Sequence, residues 1–456
     1  MGSKLPKLEE RLGEDRISQL PDDVLARILS LLDNTVLAVQ TTILSKRWKD
    51  LWKSISFIRL GDVSIDVVDD RFMTLVDSVV TYHGSTDILK FHLSYNNDGT
   101  RDDMLADDYI CIRRWICTVV QHNVAELHLN LFNLEGNEQE FPFLIPECLF
   151  MCTTLVALKV DSNSICFSNC PIEGCFPRLK VLYVDIDDSD QVSRKSLENL
   201  FPCFPVLEEL TIRGAIFESN INISAPELKT LRMNCRYCDS VVFFINAPKL
   251  ENLDLMDDSF LPNEYHFKNG RSLIKVKLTL QHDNYAFEAD DRADHATALF
   301  AQISNIEDLS LSLEGLYVSY LPEFVKLSQL VLVLHGFNYW EFLIECLRRC
   351  PNLKHLILEL KDNKWRGTDD KLEWKFSNPH QCPACLVSHL QTISIKGFKG
   401  QQDEMDVAQF LLKNGVVLNT MSIYTVSEGL LSTKKYLRTE LLKHVGGSKS
   451  RVIWAD

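Results

Sequence analysis

LEELTI at residues 207–212, LKTLRM at 228–233, LENLDL at 250–255 and LIKVKL at 273–278 share one pattern: apolar, two others, apolar, one other, apolar. Successive starts lie 21, 22 and 23 residues apart. The alternation in the second half of each copy is that of a short strand with one face buried. A fixed step of this length means one small unit repeated and stacked on its neighbours. Working outward, the pattern returns as Leu155/Leu158/Val160 and Leu179/Leu182/Val184 on one side. On the other side it returns as Ile306/Leu309/Leu311, Leu327/Leu330/Leu332 and Leu353/Leu356/Leu358. Weaker copies begin at Ile88 and Val124. One step stretches to 33 residues, from 273 to 306, and holds QHDNYAFEADDRADHATALF, read as a polar loop and a helix.

The step falls in the leucine-rich-repeat range, although the asparagine ladder of regular repeats is mostly missing. We expect an irregular solenoid over residues 80–375, with one strand per repeat in a parallel sheet. Side chains between the buried positions then line the open sheet face. They include Glu209, Thr211 and Arg213, then Thr230, Arg232 and Asn234, then Asn252, Asp254 and Met256, then Lys275, Lys277 and Thr279. This is the candidate face for a target protein, since solenoids favour extended protein contacts. Its mixed chemistry suits a solvated face equally well.

Residues 15–53 read DRISQLPDDVLARILSLLDNTVLAVQTTILSKRWKDLWK. Pro21 suits the first position of a helix, and Asp22 and Asp23 put negative charge at its positive end. Val24, Leu25, Ile28, Leu29 and Leu32 make one apolar stripe at helical spacing. After Asp33-Asn34 a second short helix is expected with Val36, Val39 and Ile43 on one side. Ser45 then caps a third that carries Trp48, Leu51 and Trp52. So small a block buries little core of its own and contains no cysteine. Its apolar face invites completion by another chain.

These residues resemble the F-box of plant proteins, here over 12–54. The resemblance is carried by Leu20-Pro21, Ile28-Leu29, the run Leu44-Ser45-Lys46-Arg47-Trp48 and Leu51-Trp52. It implies docking to a Skp-type linker protein and, through it, to a cullin. The implied linker-binding residues are Leu20, Pro21, Val24, Leu25, Ile28, Leu29, Leu32, Leu44, Trp48, Leu51 and Trp52. From about Asn378 the sequence changes style. A strand (Leu390, Ile393, Ile395) leads into a helix with Met405, Ala408, Leu411 and Leu412 on one side. Asn414-Gly415 stops it. A strand through Leu418, Met421 and Ile423 follows, then a helix near 434–442 and a closing strand at 451–454. Cys385-Leu386, Gly397-Phe398-Lys399-Gly400 and Glu404 make this block, 376–456, similar to the FBD domain. That family implies no chemistry for it; physically it reads as a cap on the array. The expected fold is therefore α/β: a three-helix F-box, an irregular leucine-rich-repeat solenoid and a C-terminal α/β cap.

Composition narrows the function. The chain has 456 residues and a formal net charge of -15, from 63 acidic and 48 basic side chains. Such a surface repels phosphate backbones and anionic lipid, so neither nucleic acid nor membrane is expected as a partner. No secretory segment and no long apolar run appears. The expected location is cytoplasm, nucleus or both, with the 14 cysteines reduced. His380, Cys382, Cys385 and His389 hold the right ligand types for zinc, but four ligands within ten residues are cramped. Ordinary core or surface cysteines are the alternative. Phosphate-binding, nucleophile-elbow and zinc-protease motifs do not occur, and no catalytic residue or cofactor is expected. The expected role is thus a non-catalytic adaptor of an SCF-type (Skp–cullin–F-box) ubiquitin ligase that brings a target protein to its partners. The alternative is an interaction scaffold with a degenerate or repurposed F-box.

Overall fold

The computed structural model describes residues 17, 19–61, 70–84, 87–96, 105–132, 143–162, 165–166, 175–187, 204–215, 220–236, 241–258, 263–268, 270–281, 297–314, 321–335, 339–361, 381–425, 439, 441 and 451–455. They fall into two compact units, one within residues 1–140 and 154–160, the other within 141–153 and 161–456.

In the first unit the strands Phe57–Leu60, Lys90–Asn96 and Glu126–Phe132 run parallel. Parallel neighbours need a crossover, and the helices Asp70–Tyr82 and Leu105–Gln121 supply the two that link them. Ile58, Phe91 and Leu127 face one another across the strands, as do Leu60, Leu93 and Leu129. Against them lie Val76, Val79, Ile112, Trp115, Ile116 and Val119, all buried. Polar groups inside this layer are paired: the Tyr95 hydroxyl donates to Asp108 at 2.6 Å, and the Trp115 indole N–H donates to Asp77 at 3.1 Å.

His83 ends the first crossover helix. Its Nε2 lies 2.8 Å from the Ile55 carbonyl oxygen, and its ring centroid is 5.9 Å from that of His122. Burial holds its pKa below the usual imidazole value, with the neighbouring His122 acting in the same sense against the Ile55 and Gly84 carbonyls. The unfolded chain therefore binds a proton that the folded unit refuses. The stability this confers is complete above about pH 6.5 and is lost as pH falls toward the lowered native value. Between neutral pH and about pH 5.5, the melting temperature of the wild type should fall further than that of His83→Gln. Equal falls in the two proteins would remove His83 as a source of acid sensitivity.

In the second unit one parallel sheet takes its strands in sequence order. They are Val181–Asp187, Glu209–Ala215, Thr230–Cys235, Asn252–Asp257, Lys275–Gln281 and Asp308–Glu314. Gln329–His335, His355–Lys361, Thr392–Phe398, Thr420–Thr425 and Arg451–Ala455 continue it. The repeat pattern becomes a ladder: Leu182, Leu210, Leu231, Leu253, Val276, Leu309, Leu330, Leu356, Ile393 and Met421 stand opposite one another in turn. Each is at most 2% exposed, and full burial of such a side chain contributes roughly 2 kcal/mol. A second parallel sheet, Asn220–Ser224, Val242–Asn246 and Glu264–Phe267, buries Ile221, Ile223, Phe243, Ile245 and Tyr265. It was not expected from the sequence, although its strands start at 22-residue steps and two of them alternate in the same way.

The C-terminal block, expected as an α/β cap on the array, continues the same sheet in register with the repeats. Its helix, Gln402–Asn414, buries Met405, Ala408, Leu411 and Leu412 as read from the sequence. The helix expected near 434–442 lies outside the described residues save Thr439 and Leu441. The Gly397–Gly400 motif has a local cause. Gly397 has φ +76°, and a Cβ there would sit 2.2 Å from the Leu360 carbonyl oxygen. The Glu404 carboxylate accepts from the backbone N–H groups of Lys399, Gly400 and Gln401 at 2.8, 2.8 and 3.2 Å, pinning the turn to the helix start. Burial pushes its pKa up, against the pull of those three donors.

Candidate docking surfaces

The N-terminal block folds as helices Asp22–Leu29 and Thr35–Gln40 followed by two 3-10 turns, Thr41–Ile43 and Leu51–Ser54. Pro21 is the residue before the first helix rather than its first member. Asn34 caps the second, its side chain accepting from Val36 N at 2.8 Å. Two expectations are corrected here. The second helix buries Thr35 and Ala38, while Val36 and Val39 are half-buried and Ile43 is 86% exposed. The reason is that the strand Phe57–Leu60 docks there: Arg59 N donates to Thr35 Oγ1 at 2.8 Å, and Asn34 Nδ2 donates to the Gly61 carbonyl at 3.0 Å. The expected third helix is only turns, and Ser45 offers its backbone carbonyl, not its hydroxyl, to Trp48 N.

The eleven residues assigned to linker binding divide into two sets. Leu25, Leu29, Trp48, Leu51 and Trp52 are buried among the block's own elements, where the first helix packs on the Leu51–Ser54 turn. Leu20 and Leu32 are half-buried, and Pro21 is exposed. Val24, Ile28 and Leu44 are exposed at 42, 43 and 63%. Arg47 ties the ends of the motif together: its guanidinium donates to Asp22 at 2.8 Å and also to the Leu20 carbonyl. That link carries the Leu44–Trp48 run back to the start of the first helix. Leu31, Leu37 and Ile43 are further exposed aliphatics. The sequence reading did not assign Leu31 and Leu37 to the surface, because a turn and a helix of under two turns carry too little periodicity to fix a face. Seven large aliphatic side chains, Ile17 among them, are exposed in this short block.

On the solenoid, every residue assigned to the target face is exposed or half-buried. The registers align them in rows: Glu209, Thr230, Asn252 and Lys275; Thr211, Arg232, Asp254 and Lys277; Arg213 and Asn234. Much of the charge is spent internally. Arg232 meets Glu209 at 3.2 Å, Lys277 meets Asp254 at 3.2 Å, and Lys275 meets Asp308 at 3.1 Å. Behind them Glu208 bridges Lys180 and Lys229, whose hydrogen bonds hold its carboxyl down at about 2. Arg213 donates to the Tyr183 hydroxyl at 2.9 Å, and burial pushes that phenol up to about 12. Further along, the middle row loses its charge and becomes Ser310, Val331, Ile357, Ser394 and Ser422, all half-buried. The sequence reading stopped at the strand of Lys275, Lys277 and Thr279 and did not extend to this stretch, although its signal was present: Val331 and Ile357 are apolar at outward positions.

The zinc motif does not assemble among the described residues. Cys382 is exposed, whereas Cys385 is buried in the helix Ala384–Ser388 with its thiol 3.3 Å from the Leu347 carbonyl oxygen. Burial pushes the Cys385 thiol up to about 12, which disfavours the thiolate that zinc requires. No group of three or more ligating side chains converges among the described residues; His380 lies outside them. No described helix is long and apolar enough to cross a membrane.

Three family descriptions match the chain: the F-box domain over residues 17–60, the LRR repeats of an FBD-associated F-box protein over 112–278, and FBD over 378–423. Among its relatives in Arabidopsis thaliana are an F-box/LRR-repeat protein, 29% identical over 95% of this chain and 96% of the relative, and an F-box/FBD/LRR-repeat protein, 26% identical over 96% and 97%. F-box/LRR-repeat protein 13 is 29% identical over 90% of this chain and 89% of its own length. With all three segments matched in order and relatives aligned along nearly the whole length, the chain belongs to the plant F-box/LRR-repeat/FBD family.

Proposed function

We propose that this chain is a non-catalytic substrate-recognition adaptor of an SCF-type ubiquitin ligase. Its F-box docks a Skp-type linker protein, which holds a cullin, and its solenoid face binds a target protein. The observation that carries the reading is the division inside the F-box. Its own core is closed by Leu25, Leu29, Trp48, Leu51 and Trp52, yet Val24, Ile28 and Leu44 remain in water. A block that needed only to fold has no use for that second apolar set, and a helical partner would cover it. On the solenoid, the uncharged row from Ser310 to Ser422 supplies the centre of the target site, because water is displaced there at least cost. The ion-paired rows beside it form the rim. The chain itself supplies proximity, holding a target lysine near the loaded enzyme carried by other subunits.

Affinity capture of the full chain, compared with one lacking residues 17–60, tests this. The intact chain should retain linker and cullin and support ubiquitination of a co-captured protein; the shortened chain should keep the target and lose the other two. Capture of targets with no linker or cullin would instead leave an interaction scaffold.

A further inference from the structure

The strand Arg451–Ala455 is the last of the second unit's sheet, with a neighbour on one side only, Thr420–Thr425. An unpaired strand edge is a template for another strand, and proteins close such edges. Two closures occur in this chain. At the edge strand Glu264–Phe267 the side-chain amide of Gln302 takes the place of a neighbouring backbone. Its Oε1 accepts from Phe267 N at 2.8 Å, and its Nε2 donates to the Tyr265 carbonyl at 2.9 Å. At the strand Phe57–Leu60, Thr35 and Asn34 bond to Arg59 N and the Gly61 carbonyl. Among the described residues no side chain does this for Arg451–Ala455. Nor does its sequence protect it: Arg-Val-Ile-Trp-Ala has one charge, no proline and three large apolar residues.

The buried ladders break off at the same strand. Met421 and Ile423, the inward residues of the strand before it, are 0% exposed, whereas their partners Val452 and Trp454 are half-buried. The Trp454 ring meets Phe398 edge-on, with centroids 6.2 Å apart, and its indole N–H is buried without an acceptor among the described residues. On the outward face Ile453 is 38% exposed. The core is thus left unfinished at this end, in the same three residues that form the open edge.

We propose that this edge is closed by a second copy of the chain, the two Arg451–Ala455 strands pairing antiparallel about a two-fold axis at Ile453. The strand is complementary to itself in that register. Ile453 stands opposite its own copy on the outward face, and each Val452 stands opposite Trp454 of the partner on the inward face. A β-branched residue across from an aromatic one is a favourable cross-strand pair. Two such pairs cover the half-buried ends of both cores. The two Arg451 residues stand about 13 Å apart along the strands, so like charges do not meet. Parallel addition of the same strand would set Arg451 beside Arg451. A five-residue seam is smaller than the roughly 1,200 Å² of a stable complex, so the dimer forms at micromolar rather than nanomolar concentration. The inference stands apart from the proposed function, since it needs neither the linker nor a target.

Sedimentation velocity of the full chain, over a concentration series through the micromolar range, tests this. The wild type should pass from monomer to dimer. Ile453→Lys and Ile453→Glu each set like charges against each other at the axis, and each should weaken dimerisation at least about tenfold. Their equimolar mixture should restore it, because opposite charges then face each other. Val416→Lys, a charge added at a 65% exposed position off the strand, should dimerise as the wild type does. Thermal melting verifies that each variant is folded. A wild type that stays monomeric throughout the series overturns the proposal. So does a dimer untouched by either Ile453 substitution, or a mixture that remains as weak as its components.

Discussion

Ile28→Asp should lower the affinity of this chain for a Skp-type linker protein by at least about 100-fold while leaving its melting temperature within roughly 1–2 °C of wild type. Ile28 is 43% exposed at the edge of the stripe whose members Leu25 and Leu29 are buried in the helix Asp22–Leu29, so a carboxylate there stays hydrated in the free chain. Covered by a partner's apolar surface, the same carboxylate becomes an unpaired buried charge, which costs about 3–5 kcal/mol. Leu44→Asp, at 63% exposure on the run tied back by Arg47, should act in the same way. Leu25→Asp provides the contrast. At 0% exposure its charge is buried in the free protein, so it should unfold the block and lose binding only as a consequence. Calorimetric titration with the linker, paired with thermal melting, separates these cases. Unchanged affinity in both Ile28→Asp and Leu44→Asp would place the linker elsewhere and sink the adaptor reading of the F-box.

The second large effect lies in the solenoid. Asp257 ends the strand Asn252–Asp257 and is 0% exposed. It accepts from the Tyr265 hydroxyl at 2.6 Å and from Asn263 Nδ2 at 3.2 Å, and Asn263 Oδ1 in turn accepts from Val241 N at 3.0 Å. This buried network joins the strand end to the second sheet. Asp257→Ala leaves a hydroxyl and an amide donor unsatisfied away from water, at a cost of about 2–5 kcal/mol. Tyr265→Phe, which removes one donor and keeps the ring stacked on Phe243 at 5.1 Å, should cost nearer 1 kcal/mol. Repeats interact mainly with neighbours, so the damage should be local. Hydrogen exchange should accelerate over residues 220–267 well before the strands Thr392–Phe398 and Thr420–Thr425 respond. A uniform acceleration along the chain, or no shift in the urea midpoint, would show that the network does not govern these repeats.

Both predictions turn on burial that no sequence pattern displays. Val24, Leu25, Ile28 and Leu29 read as one stripe because helical spacing places them on neighbouring rows. Only the packing of the Leu51–Ser54 turn against the first helix splits them into a closed core and an open face. Ile43 was grouped by spacing on one side with Val36 and Val39, but a 3-10 turn rotates each residue further than an α-helix does, and it emerges in water. Asp257 carries no periodic signal either: the Asp257-Asp258 pair after an alternating strand looks like the start of a solvated loop. Its partners, six and eight residues on, become partners only because a second sheet forms behind the first.

The repeats were legible from the outset for the opposite reason. Leu210, Leu231, Leu253 and Val276 each specify a buried position by local alternation, and a solenoid asks of each repeat little more than to match its neighbour. Local pattern and global fold then coincide, so the sequence by itself determined the strands, their parallel order, the inward leucines and the outward rows. The tertiary structure alone decided that the C-terminal cap is built by continuing the sheet in register. It alone decided which F-box aliphatics remain for a partner. Those outcomes depend on residues far apart in the sequence, where packing and sheet register, not sequence spacing, set the neighbour.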